Sequence, residues 1–406
     1  MKIELKHNLW SGQQTLRINL PDQWNVRVIR MRGDENSVLQ ASQYRQAFVS
    51  LKNMIKGKKN IAVLFDDLSR PTKVYQFIPF LLEFFEKCRI KDEQVRFICA
   101  LGTHAPHDNT AFRKKLGQNV LDRFPVYNHL VYENCDYLGE TRLGTPILVN
   151  REYLSCDLKI GIGTLLPHSF CGHGGGYKIV MPGVAHMDSI ANHHGSLLSQ
   201  HKEFCAFGRS QWNPLLEDVK EFGRAAGLDI VINLLINSQA EGVDLYAGPP
   251  DGVYGAFAEK GMAHYGAEVP GKADIVIANM YCKGNEATVG LSLAEQLLKE
   301  EGGDVVLLSG VPEGQVVHYL FGRFGENAWG RVGFGERKNS KKIRKLFIFS
   351  RYKDLAGSFW FGPRQEITWY NDFSEIISAL TERFTTTIPV VYVIPDATIQ
   401  TVDFIR

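Results

Sequence analysis

The chain has 406 residues, and its 46 Lys and Arg residues against 44 Asp and Glu residues give a net charge of +2 with neutral histidines. This length favours two or three domains, each with a core of its own. The balanced charge and the lack of a basic block in the sequence argue against capture by nucleic acid or an anionic membrane and favour a small-molecule partner.

The sequence carries no visible targeting or membrane signal. The first thirty residues contain no continuous apolar segment such as a signal peptide needs. The longest apolar run, Tyr75–Phe85, is too short to cross a bilayer and is interrupted by Pro79 and Glu83. Seven cysteines are scattered without any CxxC spacing, which argues against a disulfide framework or a structural zinc site. We therefore expect a soluble, cytoplasmic protein.

Taken in chain order, the predicted elements form two series. Apolar residues alternate with polar ones over the opening segment, up to Val26 and Val28, which predicts a small layer of half-buried antiparallel strands. Short apolar runs followed by helical patterns then predict parallel strands at "NIAVLF", "QVRFICALG", "HLVYENC", "DLKIGIGTLLPH" and "DIVINLLI". A second series has strands at "ADIVIANM", "GDVVLLSG", "KLFIFS" and "IPVVYVIPD", with helices at "LSLAEQLLKEE" and "FSEIISALTERF".

We predict two α/β domains with mainly parallel sheets and an active-site cleft between them. Residues 1–270 would form the N-terminal domain, and residues 271–406 would form a smaller domain that closes the cleft. The last residues could return to the first domain. Pro and Gly cluster at the joint, Tyr265–Ala273, and the glycine- and charge-rich segment Gly322–Lys342 is predicted to be a mobile loop or lid.

Polar side chains follow three of the predicted strands. "NIAVLF" runs into "DDLSRPT", where Ser69 would cap a helix with Pro71 in its first turn, so that Asp67 and Arg70 project from the corner. "QVRFICALG" is followed by His104, and "DLKIGIGTLLP" by His168. In open parallel sheets, ligands bind beyond the carboxyl ends of the strands. Two imidazoles facing each other across a substrate suit two-sided proton transfer.

The segment "CGHGGGYK" places Lys178 after four glycines, Gly172, Gly174, Gly175 and Gly176. Its amides could form an anion nest, but the segment matches neither a Walker motif nor a dinucleotide fingerprint. A lysine in such a loop could contact phosphate, act as a nucleophile or bond covalently to a cofactor. His193 and His194 follow in "NHHG"; they could be a solvated pair or supply a ligand to nickel, copper or zinc.

Together, "DDLSRPT", "LGTH", "PHSFCGHGGGYK" and "NHHG", in this order and spacing, resemble the nickel-pincer lactate racemase family and its relatives that act on other 2-hydroxy acids. The resemblance implies a racemase or epimerase, an isomerase that depends on cofactor-synthesis proteins. It also implies a cofactor, the nickel pincer nucleotide, which is a pyridinium-3,5-bisthiocarboxylic acid mononucleotide carrying nickel. A recombinant chain could lack it.

By position in the motifs, the resemblance assigns roles to single residues. Lys178 would bind the cofactor covalently, and His104 and His168 would be the acid/base pair. Asp67, Arg70 and the four loop glycines would hold the cofactor, with Arg70 also touching substrate. His194 would bind nickel, with His193 as the alternate. The implied reaction moves the C2 hydrogen of the substrate to the cofactor ring as hydride and returns it to the other face.

The sequence departs from the family pattern in ways that bear on the substrate. Where the family's lactate enzymes carry a glutamine and a lysine, "GNEATVGLS" has Glu286 and Val289. His173 and Gly174 replace an aromatic–small pair in the loop. We therefore expect a substrate other than lactate, larger and hydroxylated, with Glu286 hydrogen-bonded to a substrate hydroxyl and Trp329 covering the site. The alternatives are a zinc hydrolase that uses some of the same histidines and a non-catalytic protein that binds a nucleotide or hydroxy acid.

Overall fold

The computed structural model describes residues 1–12, 14–208, 211–333 and 335–404. The strands in chain order are β1 (Lys2–His7), β2 (Gln14–Asn19), β3 (Asn25–Val28), β4 (Ile61–Asp66), β5 (Val95–Ala100), β6 (Val126–Asn128), β7 (Cys135–Glu140), β8 (Pro146–Asn150), β9 (Leu158–Thr164), β10 (Pro167–His168), β11 (Gly172–His173), β12 (Ile230–Ile236), β13 (Gly242–Gly248), β14 (Gly266–Val269), β15 (Ile275–Asn279), β16 (Gly303–Leu308), β17 (Ile343–Phe349), β18 (Ile367–Tyr370), β19 (Val390–Ile394) and β20 (Thr401–Phe404).

The α-helices in chain order are α1 (Ala41–Val49), α2 (Lys52–Ile55), α3 (Ile78–Lys87), α4 (Asn109–Leu116), α5 (Gln118–Arg123), α6 (Arg151–Leu154), α7 (Met187–Ala191), α8 (Leu198–Gln200), α9 (Pro214–Ala225), α10 (Ala256–Tyr265), α11 (Ala287–Leu297) and α12 (Phe373–Arg383). Within the described residues, none of these helices is long and apolar enough to cross a membrane.

The chain divides into two compact units. The larger unit comprises Glu35–His264 and His318–Gly333, and the smaller unit comprises Met1–Asp34, Tyr265–Val317 and Phe334–Arg406. This division differs from the predicted split at residue 270, because residues 1–34 belong with the second half of the chain and residues 318–333 belong with the first. Part of the predicted lid, up to Gly333, therefore lies in the larger unit.

A six-stranded sheet in the order β13-β12-β9-β4-β5-β6 forms the centre of the larger unit. All of its pairings are parallel except that of β12 with β13. Every residue of β4 and β12 is buried, as expected for parallel strands covered on both faces. Because β9, β4 and β5 are parallel neighbours, the residues that follow them emerge at one edge of the sheet.

A second six-stranded sheet, β18-β17-β16-β15-β19-β3, is parallel throughout and organises the smaller unit. Apolar residues of the β1–β2 hairpin and of α12 pack on one face of this sheet, and α11 packs on the other. The last strand, β20, pairs with β14 inside the same unit. The predicted mixed α/β class with mainly parallel sheets is confirmed.

Two local predictions are wrong. Val26 and Val28 lie in β3, which pairs parallel with β19 and does not extend the antiparallel hairpin. "HLVYENC" is no strand before Cys135, where β7 begins. The amide of His129 still donates to the carbonyl of Cys99 in β5, but further along, the carbonyl of Val131 accepts a hydrogen bond from the amide of Met187, outside the sheet.

Candidate active site

The corner after β4 is held by buried polar contacts. Asp67 Oδ1 accepts hydrogen bonds from the Ser69 hydroxyl at 2.5 Å and from the Ser69 amide at 3.2 Å. These bonds close a turn, so the prediction that Ser69 caps a helix with Pro71 in its first turn is wrong; the next α-helix begins only at Ile78. The guanidinium of Arg70 folds back and donates to the Ser69 hydroxyl at 2.8 Å.

A buried lysine that the motif analysis did not consider supports this corner. Lys115, on α4, lies with its Nζ 2.6 Å from Asp66 Oδ1 and donates to the carbonyls of Asp67 and Arg70, at 2.9 Å each. Its side chain is 1% exposed. Burial raises the pKa of Asp66 in spite of the lysine. The Asp66 carboxylate and the carbonyls of Asp67 and Arg70 thus all bind the one ammonium group of Lys115.

His104 follows β5 and is oriented by Asp67. The Nδ1 atom of His104 lies 2.7 Å from Asp67 Oδ2. Burial alone would raise the pKa of Asp67, but His104 and Arg70 outweigh burial and hold that pKa well below its usual range. An ionised carboxylate only accepts, so Nδ1 of His104 carries the proton and the neutral ring has its lone pair on Nε2. This tautomer is that of a general base.

His168, which lies in β10, is set in the opposite tautomer. Its Nδ1 accepts hydrogen bonds from the amides of Phe170 at 3.1 Å and Cys171 at 3.3 Å. The neutral ring therefore carries its proton on Nε2. The ring packs edge-on against Phe170, with centroids 5.4 Å apart, and Phe170 in turn packs against His194 at 5.7 Å. Phe170 thus links one member of the predicted acid/base pair to the predicted metal ligand.

Lys178 lies in a 3-10 turn, Gly176–Ile179, with a half-buried side chain. Its Nζ lies 3.7 Å from the buried thiol of Cys171. Burial raises the pKa of that thiol, although Lys178 opposes the shift.

The loop glycines shape the backbone but do not leave an open ring of amides. Gly172, Gly175 and Gly176 have positive φ angles, and a Cβ on Gly176 would overlap the hydroxyl of Tyr254. The Gly176 amide donates to Asn233 Oδ1 at 2.7 Å, the Tyr177 amide to the Tyr254 hydroxyl, and the Gly174 amide to the carbonyl of Leu166. These bonds occupy amides that the sequence analysis offered as an anion nest.

His193 and His194 lie in a π-helical segment, Asn192–Leu197. His193 Nε2 is 2.9 Å from the carbonyl of Leu215, and its Nδ1 is 3.1 Å from Nδ1 of His194. Because a carbonyl only accepts, His193 is protonated at Nε2, its Nδ1 accepts, and His194 donates from Nδ1. The neutral His194 ring then has its lone pair on Nε2. This is the geometry of a metal ligand oriented by a neighbouring group.

Burial lowers the pKa of His194 well below its usual value, and the charges of His193, Lys178 and His318 add to the shift. Burial likewise lowers the pKa of His193 to about 4. Both rings are therefore neutral in the physiological range, as metal binding by imidazole requires. In the described parts of the chain, no group of three or more His, Cys, Asp or Glu side chains is placed to hold a metal ion.

His318 was missed by the sequence analysis. The ring contacts His104, with centroids 5.1 Å apart, and the two backbones pair in an isolated bridge. Its only signal in the sequence is "HYLF", a histidine that precedes an aromatic residue by three positions, and this is too common a pattern to single out. His173, in the loop, is 1% exposed, and neither of its ring nitrogens has a hydrogen-bond partner among the described residues.

The larger unit therefore contains two groups of predicted residues. In the first, Asp67 contacts His104; in the second, Phe170 joins His168 to His194, and the charge of Lys178 acts on His193 and His194. Trp329 lies in the same unit, with Arg323 over its ring at 5.1 Å. Glu286 belongs to the smaller unit, where it precedes α11 and forms an ion pair with Lys283. Lys283 was also missed in the sequence, because it precedes Glu286, whereas the lysine of the family pattern follows that position.

Comparison with known proteins agrees with this architecture. Residues 11–206 match the lactate racemase N-terminal domain family. The chain is 26% identical over 247 residues to the lactate racemase of Thermoanaerobacterium thermosaccharolyticum, covering 58% of each chain. It is 25% identical over 277 residues to that of Lactiplantibacillus plantarum, covering 65% of this chain and 63% of the relative. The alignments thus span less than two thirds of these relatives.

Two solved structures share the fold. The lactate racemase apoprotein from Thermoanaerobacterium thermosaccharolyticum superposes with a TM-score of 0.75 at 19% identity, covering 99% of this chain and all of that one. A Thermotoga maritima protein superposes with a TM-score of 0.69 at 15% identity, covering 91% of this chain and all of that one. Residues 11–206, just under half of the chain, thus match the lactate racemase N-terminal domain family, and the chain shares the fold of the lactate racemase apoprotein.

Proposed function

We propose that this protein is a racemase or epimerase of a 2-hydroxy acid. The observation that carries the proposal is the Asp67–His104 pair, a histidine fixed as a base, in one unit with Lys178 and the metal-ligand tautomer of His194. Inversion at C2 needs a group that removes the hydroxyl proton and a second group that acts at the opposite face. His168 is proposed for that second role.

The residues present fit the nickel pincer nucleotide of the family. Lys178 would bind it covalently, and His194 would give its Nε2 lone pair to nickel. The two ring nitrogens of His173, which are buried and have no hydrogen-bond partner among the described residues, support a bound polar group at the loop. When bound, the cofactor would supply the acceptor for the C2 hydride.

The remaining chemistry belongs to the chain. His104 takes the hydroxyl proton at Nε2, and Asp67 stabilises the imidazolium that results. Arg70 is proposed to hold the substrate carboxylate. His168 in its neutral state presents an Nε2 proton to an oxygen of the substrate or keto acid. To deliver that proton, the ring must first take up a solvent proton at Nδ1, which requires the amides of Phe170 and Cys171 to release this nitrogen; delivery from Nε2 then leaves a neutral ring. His104 is therefore the better-prepared base.

We propose that the preferred substrate is larger and more hydroxylated than lactate. The family's lysine after Glu286 is replaced by Val289, which removes a partner for a small monocarboxylate. The ion pair with Lys283 compensates the charge of Glu286. A substrate hydroxyl bound by Glu286 would share the carboxylate with that lysine, and Trp329 is proposed to cover the site.

The test uses protein produced together with the cofactor-synthesis proteins. We expect added mass at Lys178, bound nickel, and inversion at C2 of at least one member of a panel of 2-hydroxy acids. Hydrolysis with zinc alone and an unmodified Lys178 would favour the zinc hydrolase. Unchanged ligand affinity after replacement of both His104 and His168, with no inversion by the wild type, would favour the non-catalytic binder.

The Asp67→Asn variant should lose activity through His104. An amide can donate to Nδ1 and so permits the tautomer with Nε2 protonated, which is not a base. We expect kcat to fall about 10²- to 10⁴-fold with little change in KM. Steady-state inversion kinetics measure the loss, and Asp122→Asn, at an exposed position, is the control. An unchanged kcat would show that Asp67 does not set the state of His104.

The same pair predicts a pH dependence of stability. Because the pKa of Asp67 is lower in the folded state, its contribution is complete above the unfolded value of about 3.9 and is lost as the pH falls through the folded value. The difference in melting temperature between wild type and Asp67→Asn should therefore shrink as the pH falls below about 3.9.

A further inference from the structure

We propose that His318, together with Thr103, binds a hydroxyl group on the substrate carbon next to C2. This inference rests on the proposed function and adds to it a specificity determinant in the larger unit. The expected substrates are then 2,3-dihydroxy acids.

The position of His318 beside the proposed base supports this role. The Tyr319 amide donates to the carbonyl of Thr103 at 2.8 Å, so the segment that carries His318 is fixed to the turn that carries His104. The two imidazole rings meet at an interplanar angle of 65°. His318 therefore lies directly beside the proposed base, near where the hydroxyl proton at C2 would be removed.

The ring of His318 is held by the same pattern of hydrogen bonds as that of His168. In each case Nδ1 accepts from the amides two and three residues later: 3.1 and 3.3 Å for His168, and 3.2 and 3.1 Å for His318, whose donors are Leu320 and Phe321. Each ring also packs on an aromatic residue of its own turn; Phe321 stacks on His318 at 4.8 Å. The turn therefore fixes His318 as a donor at Nε2.

Thr103 completes a donor–acceptor pair. Its hydroxyl oxygen lies beside the ring of His318, 3.3 Å from Nε2 and 3.4 Å from Nδ1, and the residue is 4% exposed. A substrate hydroxyl can accept from the imidazole N–H and donate to the threonine oxygen. A second carboxylate would be better served by an Arg or Lys side chain. Since the rings of His104 and His318 are neighbours, they suit neighbouring oxygens on C2 and C3.

The test compares glycerate with lactate, which differ only in the hydroxyl on C3. The holoenzyme variants are His318→Asn, whose amide oxygen can still accept from the two turn amides, and the isosteric Thr103→Val. We expect wild type to prefer glycerate. The glycerate-to-lactate ratio of kcat/KM should fall about ten- to hundredfold in His318→Asn and about tenfold in Thr103→Val. His201→Asn, a half-buried histidine outside this set, should leave the ratio unchanged.

Calorimetric binding of both acids to the same proteins separates the two proposals. If wild type inverts C2 but the variants lose kcat/KM toward glycerate and lactate in equal proportion, the inference on His318 fails and the proposed function stands. If no protein inverts C2 but wild type binds glycerate more tightly than lactate and the variants do not, the function fails and the inference stands. A preference of wild type for malate over glycerate that disappears in His318→Asn would assign the site to a carboxylate and overturn the inference, as would equal binding of glycerate and lactate.

Discussion

Replacing Lys178 with arginine is expected to abolish both cofactor attachment and activity. Arginine keeps the charge of lysine and is only slightly larger, so the half-buried position beside Cys171 should tolerate it. A guanidinium is always protonated and does not supply the nucleophilic amine that an amide-type bond to a cofactor needs. Protein produced with the cofactor-synthesis proteins should therefore show no added mass at position 178, and C2 inversion should fall to background.

Intact mass, peptide mapping and nickel content measure this effect independently of turnover. Lys202→Arg, an exchange at an exposed lysine, is the matched control and should retain the modification. Melting temperatures of the two variants should be similar. Full activity of Lys178→Arg in a normally folded protein would remove Lys178 from the proposed chemistry.

The second large effect concerns stability. Lys115→Met should destabilise the fold by about 3–5 kcal/mol, because it leaves Asp66 buried without its cation and removes the donor to two turn carbonyls. Methionine preserves the apolar part of the side chain, so the loss reports on charge and hydrogen bonding more than on packing. Urea unfolding measures it.

Lys87→Met gives the matched control, since Lys87 pairs with Glu83 on the surface of α3 and should change stability by less than about 0.5 kcal/mol. The effect of Lys115→Met should also depend on pH. Burial raises the pKa of Asp66, and removal of Lys115 raises it further, so the folded variant favours the protonated carboxyl. A carboxyl whose pKa is higher in the folded than in the unfolded state destabilises the fold increasingly as the pH rises. Equal losses at pH 5 and pH 8 would contradict this explanation.

The sequence was sufficient to place three site residues at one sheet edge. β4, β5 and β9 are apolar runs of a length that suits buried parallel strands, and a polar residue follows each of them. Because parallel neighbours end at the same edge, Asp67, His104 and His168 could be assigned to one region before any contact was known. The pairing of Asp67 with His104 needed the structure, since many rotamers are compatible with that placement.

Contacts distant in sequence set the limit of such prediction. The sequence of β3 looks like that of an outer antiparallel strand, and only its pairing with β19, near the other end of the chain, makes it part of a parallel sheet. Lys115 belongs to a run of three basic residues, Arg113–Lys115, which is typical of a solvated helix end, but its side chain is buried. His318 becomes recognisable only through its contact with His104.

The most direct test of the central claim follows one enantiomer of glycerate in D2O with the nickel-loaded protein. If His104 handles only the hydroxyl proton while the C2 hydrogen travels as hydride, the inverted product should retain protium at C2. Incorporation of solvent deuterium at C2 would instead indicate abstraction of a carbon-bound proton. Failure to invert any 2-hydroxy acid of the panel, by a protein shown to carry nickel and modified Lys178, would contradict the proposed function, whereas failure with glycerate alone would overturn only the inference on His318.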